Sequence, residues 1–258
     1  MAVDGLPGGV HVGDVLAGTV VEVPRPRTWV VKLDHFPEGP LGEIGPLDLT
    51  WDFSRERPKA EPGRRVTAAV AAQSLHRGRI RLSAAAAEHP GLWAFLSTLS
   101  PGALLSGTVA EIRNFGVFVA LDDGPPHPAF PGVGFITIPE LSWSWFKDPA
   151  EVVRVGQRVT CRFVHFDTSN GEARLSLRDT LPDPFQTFAD RTTAGDRLRG
   201  EVVKEIPFGV LVRVAEAVEG LLPSPEGAGR PAVGEVVTVT VAEIDRAARK
   251  LLLAFGAG

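Results

Sequence analysis

Residues 101–119 read PGALLSGTVAEIRNFGVFV, two runs of alternating apolar residues that meet at the pair Arg113-Asn114. Alternation with a period of two is typical of a β-strand that buries one face, and two such runs joined by a short turn predict a hairpin. The first run opens with a glycine at Gly102 and carries a second at Gly107. These glycines provide a pattern that can be sought elsewhere in the chain.

The same opening occurs on both sides of this segment. Upstream, Gly13-Asp14 is followed by Gly18-Thr19-Val20, and downstream Gly195-Asp196 is followed by Gly200-Glu201-Val202. The three copies are about 90 residues apart, which is long enough for one small β-domain and a linker. The sequence therefore predicts three domains of one kind.

Each copy also ends in the same way, with a long alternating strand, a turn and a shorter strand. In the second copy the turn is Ser169-Asn170-Gly171, and Asn-Gly between apolar runs is a strong hairpin signal. Five short strands in a unit of this size are typical of a small closed barrel such as an OB-fold. The expected fold class is all-β, with three tandem five-stranded OB-fold barrels joined by short helical linkers.

The connectors between the copies each place a proline where the first turn of a short helix is expected, at Pro90 and Pro184. We expect these helices to pack on the neighbouring barrels. The predicted boundaries are 11–86 for the first, divergent barrel, 87–99 for a helical linker, 100–180 for the second barrel, 181–192 for another helical linker and 193–255 for a shortened third barrel.

Composition restricts the possible classes of function. A net charge of −4 argues against the uniformly basic surface that non-specific duplex-DNA binding requires. The single cysteine, Cys161, cannot form an internal disulfide, and we expect a cytoplasmic protein. The apolar runs are shorter than the about 20 residues of a membrane span, so we expect no membrane association. Neither a metal-ligand spacing nor a nucleophile motif is recognisable, so we expect no metal, no cofactor and no enzymatic activity.

Four segments of the second and third copies form a recognisable set. They are Phe115-Gly116-Val117-Phe118, Glu140-Leu141-Ser142-Trp143, Leu175-Ser176-Leu177-Arg178-Asp179-Thr180 and Ile206-Pro207-Phe208-Gly209-Val210. Through these segments the two copies resemble the S1 RNA-binding domain that is repeated in the ribosomal protein S1 family. The first copy is more loosely similar, through Gly18-Thr19-Val20 and Arg79-Ile80-Arg81-Leu82-Ser83. The resemblance implies the OB-fold and a surface for single-stranded RNA.

The family's RNA surface has two aromatic residues after the first hairpin turn, a histidine on the third strand, and an aspartate and an arginine at the last hairpin. Bases would stack on the aromatic rings and arginines would contact phosphates. The resemblance implies the following RNA-binding residues: Phe115, Phe118, Asp167 and Arg113 in the second copy, Phe208, Asp245 and Arg249 in the third, and Trp29 and Arg79 in the first.

Each copy departs from this set. In the second copy Thr137 replaces the histidine and Glu172 falls at about the arginine position; in the third, Leu211 and Pro223 replace the second aromatic and the histidine. From strand periodicity alone, one or both phenylalanines of the second copy could instead fill the barrel core, because aromatic residues in strands are commonly buried. The segment Trp143-Ser144-Trp145-Phe146 is expected to cap a barrel.

Two hypotheses for function follow. The first is a monomeric, non-catalytic binder of single-stranded RNA, with messenger RNA and the ribosome as expected partners. The second is a protein–protein interaction module, a regulator or immunity-type partner that has lost most of its RNA affinity. It would use the proline-rich segment 122–132 and the tryptophans around Trp143. The retained barrel is compatible with both.

Overall fold

A computed structural model describes residues 6–25, 27–56, 58–59, 61–72, 75–224 and 229–256. Within these residues the chain forms three closed five-stranded barrels. The first contains β1 (Val15–Arg25), β2 (Thr28–Leu33), β3 (Gly42–Ile44), β4 (Arg65–Val70) and β5 (Ile80–Ser83). The second contains β6 (Leu104–Arg113), β7 (Gly116–Leu121), β8 (Gly134–Thr137), β9 (Arg158–Asp167) and β10 (Glu172–Ser176). The third contains β11 (Arg197–Ile206), β12 (Gly209–Ala215), β13 (Val218–Pro223), β14 (Val236–Asp245) and β15 (Lys250–Phe255).

All three barrels share one topology. The order around the first is β1-β2-β3-β5-β4, and the other two repeat it with β6-β7-β8-β10-β9 and β11-β12-β13-β15-β14. In each barrel the third and fifth strands pair in parallel, and the other pairs are antiparallel. This closed arrangement confirms the predicted all-β class and the three tandem OB-fold barrels.

The glycine that marks each copy lies at a close approach between neighbouring strands. A Cβ added at Gly18, Gly107 or Gly200 would lie 2.6, 2.4 and 2.6 Å, respectively, from a backbone carbonyl oxygen of the adjacent strand. A larger side chain would force those strands apart, so the backbone contact itself requires glycine. The repeated motif therefore reports the first strand pair of each barrel.

Short helices connect the barrels. Helices α1 (Ala84–Glu88) and α2 (Pro90–Thr98) follow the first, and α3 (Pro184–Arg191) follows the second. The Asp183 carboxylate accepts hydrogen bonds from the backbone amides of Phe185 and Gln186 and so caps the start of α3. Single 3-10 turns lie at Pro7–Gly9, Ile138–Glu140, Pro149–Glu151 and Arg178–Thr180. None of the helices in the described ranges is long and apolar enough to cross a membrane.

The chain divides into two compact units. One comprises residues 1–138 and 148–177 and holds the first two barrels; the other comprises residues 139–147 and 178–258 and holds the third barrel. Within the first unit, Trp51 is fully buried and its indole Nε1 donates a hydrogen bond to the carbonyl oxygen of Thr168 at 3.0 Å. Its ring also contacts Trp93 and Phe166. These contacts connect the first barrel to the last hairpin of the second.

Candidate nucleic-acid interface

The third barrel carries an open groove of about 440 Å³ on its outer face. Val210 and Val212 are fully buried in the barrel core, so Leu211 between them points outward and lines the groove. The groove combines an apolar floor with a charged rim. Its lining is Ile206, Phe208, Leu211, Glu219, Leu221, Glu243, Asp245, Arg249, Lys250, Leu251 and Leu252.

Phe208 presents its ring at the edge of this groove and is 63% exposed. The next residue, Gly209, begins β12, and a Cβ there would lie 2.3 Å from the carbonyl oxygen of Leu222. The start of β12 can therefore lie this close to β13 only because residue 209 is glycine. The ring of Phe208, just before this contact, lies outside the barrel.

The last hairpin supplies the charged rim. Asp245 lies opposite Lys250 in the strand register, and its carboxylate accepts a hydrogen bond from the amide of Ala248 at 2.8 Å. Lys250, the residue after Arg249, is therefore the strand partner of Asp245 in this hairpin. Its ammonium group brings positive charge to a rim that also holds Glu219 and Glu243.

Arg249 lies beside the groove but already has partners. Its guanidinium binds the Asp183 carboxylate and lies 4.6 Å from the ring centre of Trp143. Burial alone would raise the pKa of Asp183, but hydrogen bonds from Arg249 and from the amides of Gln186 and Phe185 outweigh it and lower the pKa. A phosphate contact from Arg249 would have to compete with this carboxylate, and that role stays a prediction.

The two tryptophans of the segment 143–146 have different surroundings. Trp143 donates a hydrogen bond to the carbonyl oxygen of Arg178, whose guanidinium lies 4.5 Å from the centre of its ring. Arg249 also contacts this ring, so Trp143 packs between two arginines, and its role as a barrel cap stays a prediction. Trp145, in contrast, is 86% exposed.

In the second barrel the two predicted aromatic residues meet on the outer face. Val117 and Val119 are fully buried, so Phe118 between them points outward, where its ring centre lies 6.3 Å from that of Phe115. Phe115 is 58% exposed, but Phe118 is only 4% exposed. The expectation that Phe118 offers an uncovered ring face is wrong, because Phe130 stacks on it at 5.0 Å and Phe135 packs against it at 4.9 Å.

The polar residues of the second barrel bind one another. Asp167 accepts hydrogen bonds from the guanidinium of Arg174 at 2.6 and 3.1 Å and from the amide of Ser169. Arg174 also pairs with Glu172 at 3.1 Å and lies 4.8 Å from the ring centre of Phe135. Burial raises the pKa of Glu172, and the neighbouring Arg174 opposes that rise. Asp167 is thus a structural partner of Arg174 here, and its predicted RNA contact stays untested.

Arg174 was missed in the sequence, although a signal was present. Its segment Arg174-Leu175-Ser176 repeats Arg81-Leu82-Ser83 of the first copy, and both arginines sit opposite the third strand in the same register, at Phe135 and Glu43. Arg113, which was predicted to contact phosphate, pairs with Glu111 at 2.5 Å and remains more than half exposed.

The first barrel has a polar outer face instead of an aromatic one. Trp29 is only 2% exposed, so its predicted role as a stacking platform is wrong. It pairs with Ile44 as Val117 pairs with Ile136 in the second barrel, and that register points it into the core. Arg79 binds Glu43 at 2.7 Å and lines a groove of about 560 Å³ together with Arg25 and Arg77.

Across the described ranges, three or more histidine, cysteine, aspartate or glutamate side chains never come together in a way that would hold a metal ion. The candidate surfaces, each taken within its own barrel, are an open apolar groove on the third, a covered aromatic cluster on the second and an arginine-lined groove on the first.

Comparison with known proteins finds similarity centred on the second barrel. Residues 98–178 match the family described as the S1 RNA binding domain. The chain is 38% identical over 168 residues to small ribosomal subunit protein bS1 of Mycobacterium leprae (strain TN), covering 62% of this chain and 33% of that protein. It is 34% identical over 128 residues to the bS1 homolog of Bacillus subtilis (strain 168), covering 49% of this chain and 31% of that protein.

The solution structure of GSP13 from Bacillus subtilis is 25% identical, covers 37% of this chain and 74% of that one, and gives a TM-score of 0.28. The chain thus spans about a third of the length of the curated bS1 relatives it matches.

Proposed function

We propose that this chain, whose second barrel matches the S1 RNA binding domain family, binds single-stranded RNA without catalysing a reaction. The observation that carries the proposal is the third-barrel groove, where the exposed ring of Phe208 stands beside an apolar floor and Lys250. A flat ring next to a cation suits an unpaired base and its phosphate. A duplex hides its base faces and would fit this groove poorly.

The energy of binding would come mainly from the ring. Each base stacked on an aromatic side chain contributes about 1–3 kcal/mol and is largely indifferent to sequence. The net charge of −4 weakens long-range attraction, and the carboxylates of Glu219 and Glu243 offset the rim cations. We therefore expect modest affinity that depends on Phe208 more than on electrostatic attraction.

The first and second barrels would add further contacts to the same RNA molecule. Phe115 offers an exposed ring on the second barrel, and Arg25, Arg77 and Arg79 surround the groove of the first. Linked weak sites bind more tightly than any one of them, because each later contact is effectively intramolecular. The bS1 relatives carry names that place them in the small ribosomal subunit, which supports messenger or ribosomal RNA as the ligand.

Fluorescence anisotropy of a labelled, unstructured A/U-rich RNA titrated with the full chain tests this proposal. We expect salt-sensitive binding to single-stranded RNA and much weaker binding to a duplex of the same length. Absence of detectable binding at low salt would overturn the proposal. A salt series distinguishes phosphate contacts, which weaken with salt, from stacking, which persists.

A protein partner is the second candidate, and the 86% exposure of Trp145 favours it. Tryptophan is enriched at the centres of protein interfaces, where its large ring becomes buried. Affinity purification with and without nuclease separates the two candidates. Partners that survive nuclease and are lost on Trp145→Ala favour this candidate, whereas partners that disappear with nuclease favour RNA.

A further inference from the structure

Three rings form a continuous stack on the outer face of the second barrel. Phe130 lies on Phe118 with a centroid distance of 5.0 Å and an interplanar angle of 28°. His127 lies on Phe130 with a distance of 4.6 Å and an angle of 18°. Both centroid distances and both small interplanar angles are typical of offset-stacked rings. Phe130 and His127 belong to the loop of residues 122–132, which connects β7 and β8.

His127 fixes the loop to the last hairpin of its own barrel. Its Nδ1 accepts hydrogen bonds from the amides of Ala129 and Phe130 at 3.1 and 3.0 Å. The ring proton must therefore be on Nε2, which donates to the carbonyl oxygen of Asn170 at 2.8 Å. The imidazole is 8% exposed, and its burial lowers the pKa of His127, so the neutral ring that these bonds require is favoured.

The two ends of the loop are fixed as well. The Asp122 carboxylate receives two hydrogen bonds from the Arg158 guanidinium, at 2.5 and 2.7 Å. At the other end, a Cβ on Gly132 would lie 2.4 Å from the carbonyl oxygen of Val119, so the loop returns in close contact with β7. Pro125, Pro126 and Pro128 further limit the conformations available between these ends.

We propose that the loop of residues 122–132 is an intramolecular competitor of nucleobases at the second barrel. Phe130 takes the place of a base on Phe118, and His127 takes the place of the next base in the strand. The inference rests on the proposed function, since it concerns how that function is controlled at one of the barrels. RNA stacks on the second barrel at Phe118 only when this loop moves away.

The third barrel provides the comparison within the same chain. Leu211 stands at the strand position of Phe118, since Leu211 pairs with Leu221 as Phe118 pairs with Phe135. Around Leu211 the surface is an open groove, whereas around Phe118 it is filled by Phe130. The same OB face is thus open in one barrel and occupied by its own loop in another.

The test removes the Phe130 ring from a chain whose third-barrel site has already been weakened by Phe208→Ala. In the Phe208→Ala background we expect Phe130→Ala to tighten RNA binding at least about fivefold, the value of one base stack. Adding Phe118→Ala should abolish the gain. Phe130→Leu, which keeps an apolar side chain over Phe118, should leave the affinity near that of Phe208→Ala alone.

Photocrosslinking of the bound RNA, mapped by mass spectrometry, distinguishes binding at Phe118 from an effect of unfolding. Phe130→Ala should produce a new crosslink at Phe118 itself, distinguished by fragmentation of the peptide from a crosslink at Phe115, and an unfolded barrel would not give this signal selectively. If the wild type binds RNA but Phe130→Ala adds neither affinity nor this crosslink, the inference is overturned and the proposed function stands. If no variant binds RNA, both fall.

Discussion

Replacing Phe208 by alanine should weaken RNA binding without weakening the fold. The ring is 63% exposed, so its removal exposes little new apolar surface and should change the free energy of unfolding by less than about 0.5 kcal/mol. Loss of one base stack costs about 1–3 kcal/mol of binding free energy. At about 1.4 kcal/mol per factor of ten, the dissociation constant should rise roughly 5- to 150-fold.

Fluorescence anisotropy with unstructured RNA measures this change, and Phe255→Ala is the matched control. Phe255 is 51% exposed on the same barrel but does not line the groove. Because neither substitution removes a cation, the dependence of affinity on salt should keep its slope in both variants. The reasoning is refuted if Phe208→Ala binds within twofold of the wild type, or if both variants lose affinity equally.

Four other outcomes are expected. Lys250→Gln should weaken RNA binding and reduce the salt slope by about 1, as measured by titration at several salt concentrations; an unchanged slope would exclude a phosphate contact. Trp51→Ala should lower the free energy of unfolding of the first unit, measured in urea, by about 3–5 kcal/mol because a buried ring is lost. Trp145→Ala removes an exposed ring and should lower the free energy of unfolding by less than about 0.5 kcal/mol. Equal losses would contradict the burial of Trp51. Burial raises the pKa of the Cys161 thiol to about 12, so a thiol reagent at pH 8 should label the chain only after denaturation, and rapid labelling of the folded chain would contradict this. Burial lowers the pKa of His127 below its usual 6.5, so as the pH falls this histidine is protonated in the unfolded chain before it is protonated in the folded chain. The free energy of unfolding should therefore fall by up to about 1.4 kcal/mol per pH unit below pH 6.5. His127→Gln should reduce that slope in acid titrations followed by circular dichroism.

The architecture could be predicted because it depends on local patterns. Gly18, Gly107 and Gly200 recur for a steric reason that repeats in each barrel, and the alternating strands around them require the same pleat. Register was harder to predict. Trp29 was expected outside, but it pairs with Ile44 and points inward, because a shift of one residue along a strand reverses the face.

The same one-residue sensitivity separates Arg249 from Lys250. Arg249 has a left-handed φ of 53° at the end of its turn, so the strand ladder opposite Asp245 begins one residue later, at Lys250. Turn conformation of this kind is weakly encoded for a residue other than glycine or asparagine. The sequence therefore did not show which of the two cations lies opposite Asp245, and the phosphate contact of Arg249 stays a prediction.

The burial of the Phe118 ring under other side chains could not be predicted either, and the reason is different. Its outward direction follows from the buried neighbours Val117 and Val119 and is a property of the strand. Its burial depends on the rings of Phe135 and Phe130. Phe130 approaches from a loop that is held by tertiary contacts at Asn170, Arg158 and Phe53. Periodicity carries no information about such long-range packing.

An amide NMR titration of the labelled full chain with single-stranded RNA tests the central claim most directly. We expect the amide shifts to concentrate at the third-barrel groove, on Phe208, Leu211, Leu221 and Lys250, while the amide signals of Phe118 and Phe130 do not move. Shifts confined to the second barrel, or spread evenly over all three, would contradict the assignment of the open groove as the base-binding site.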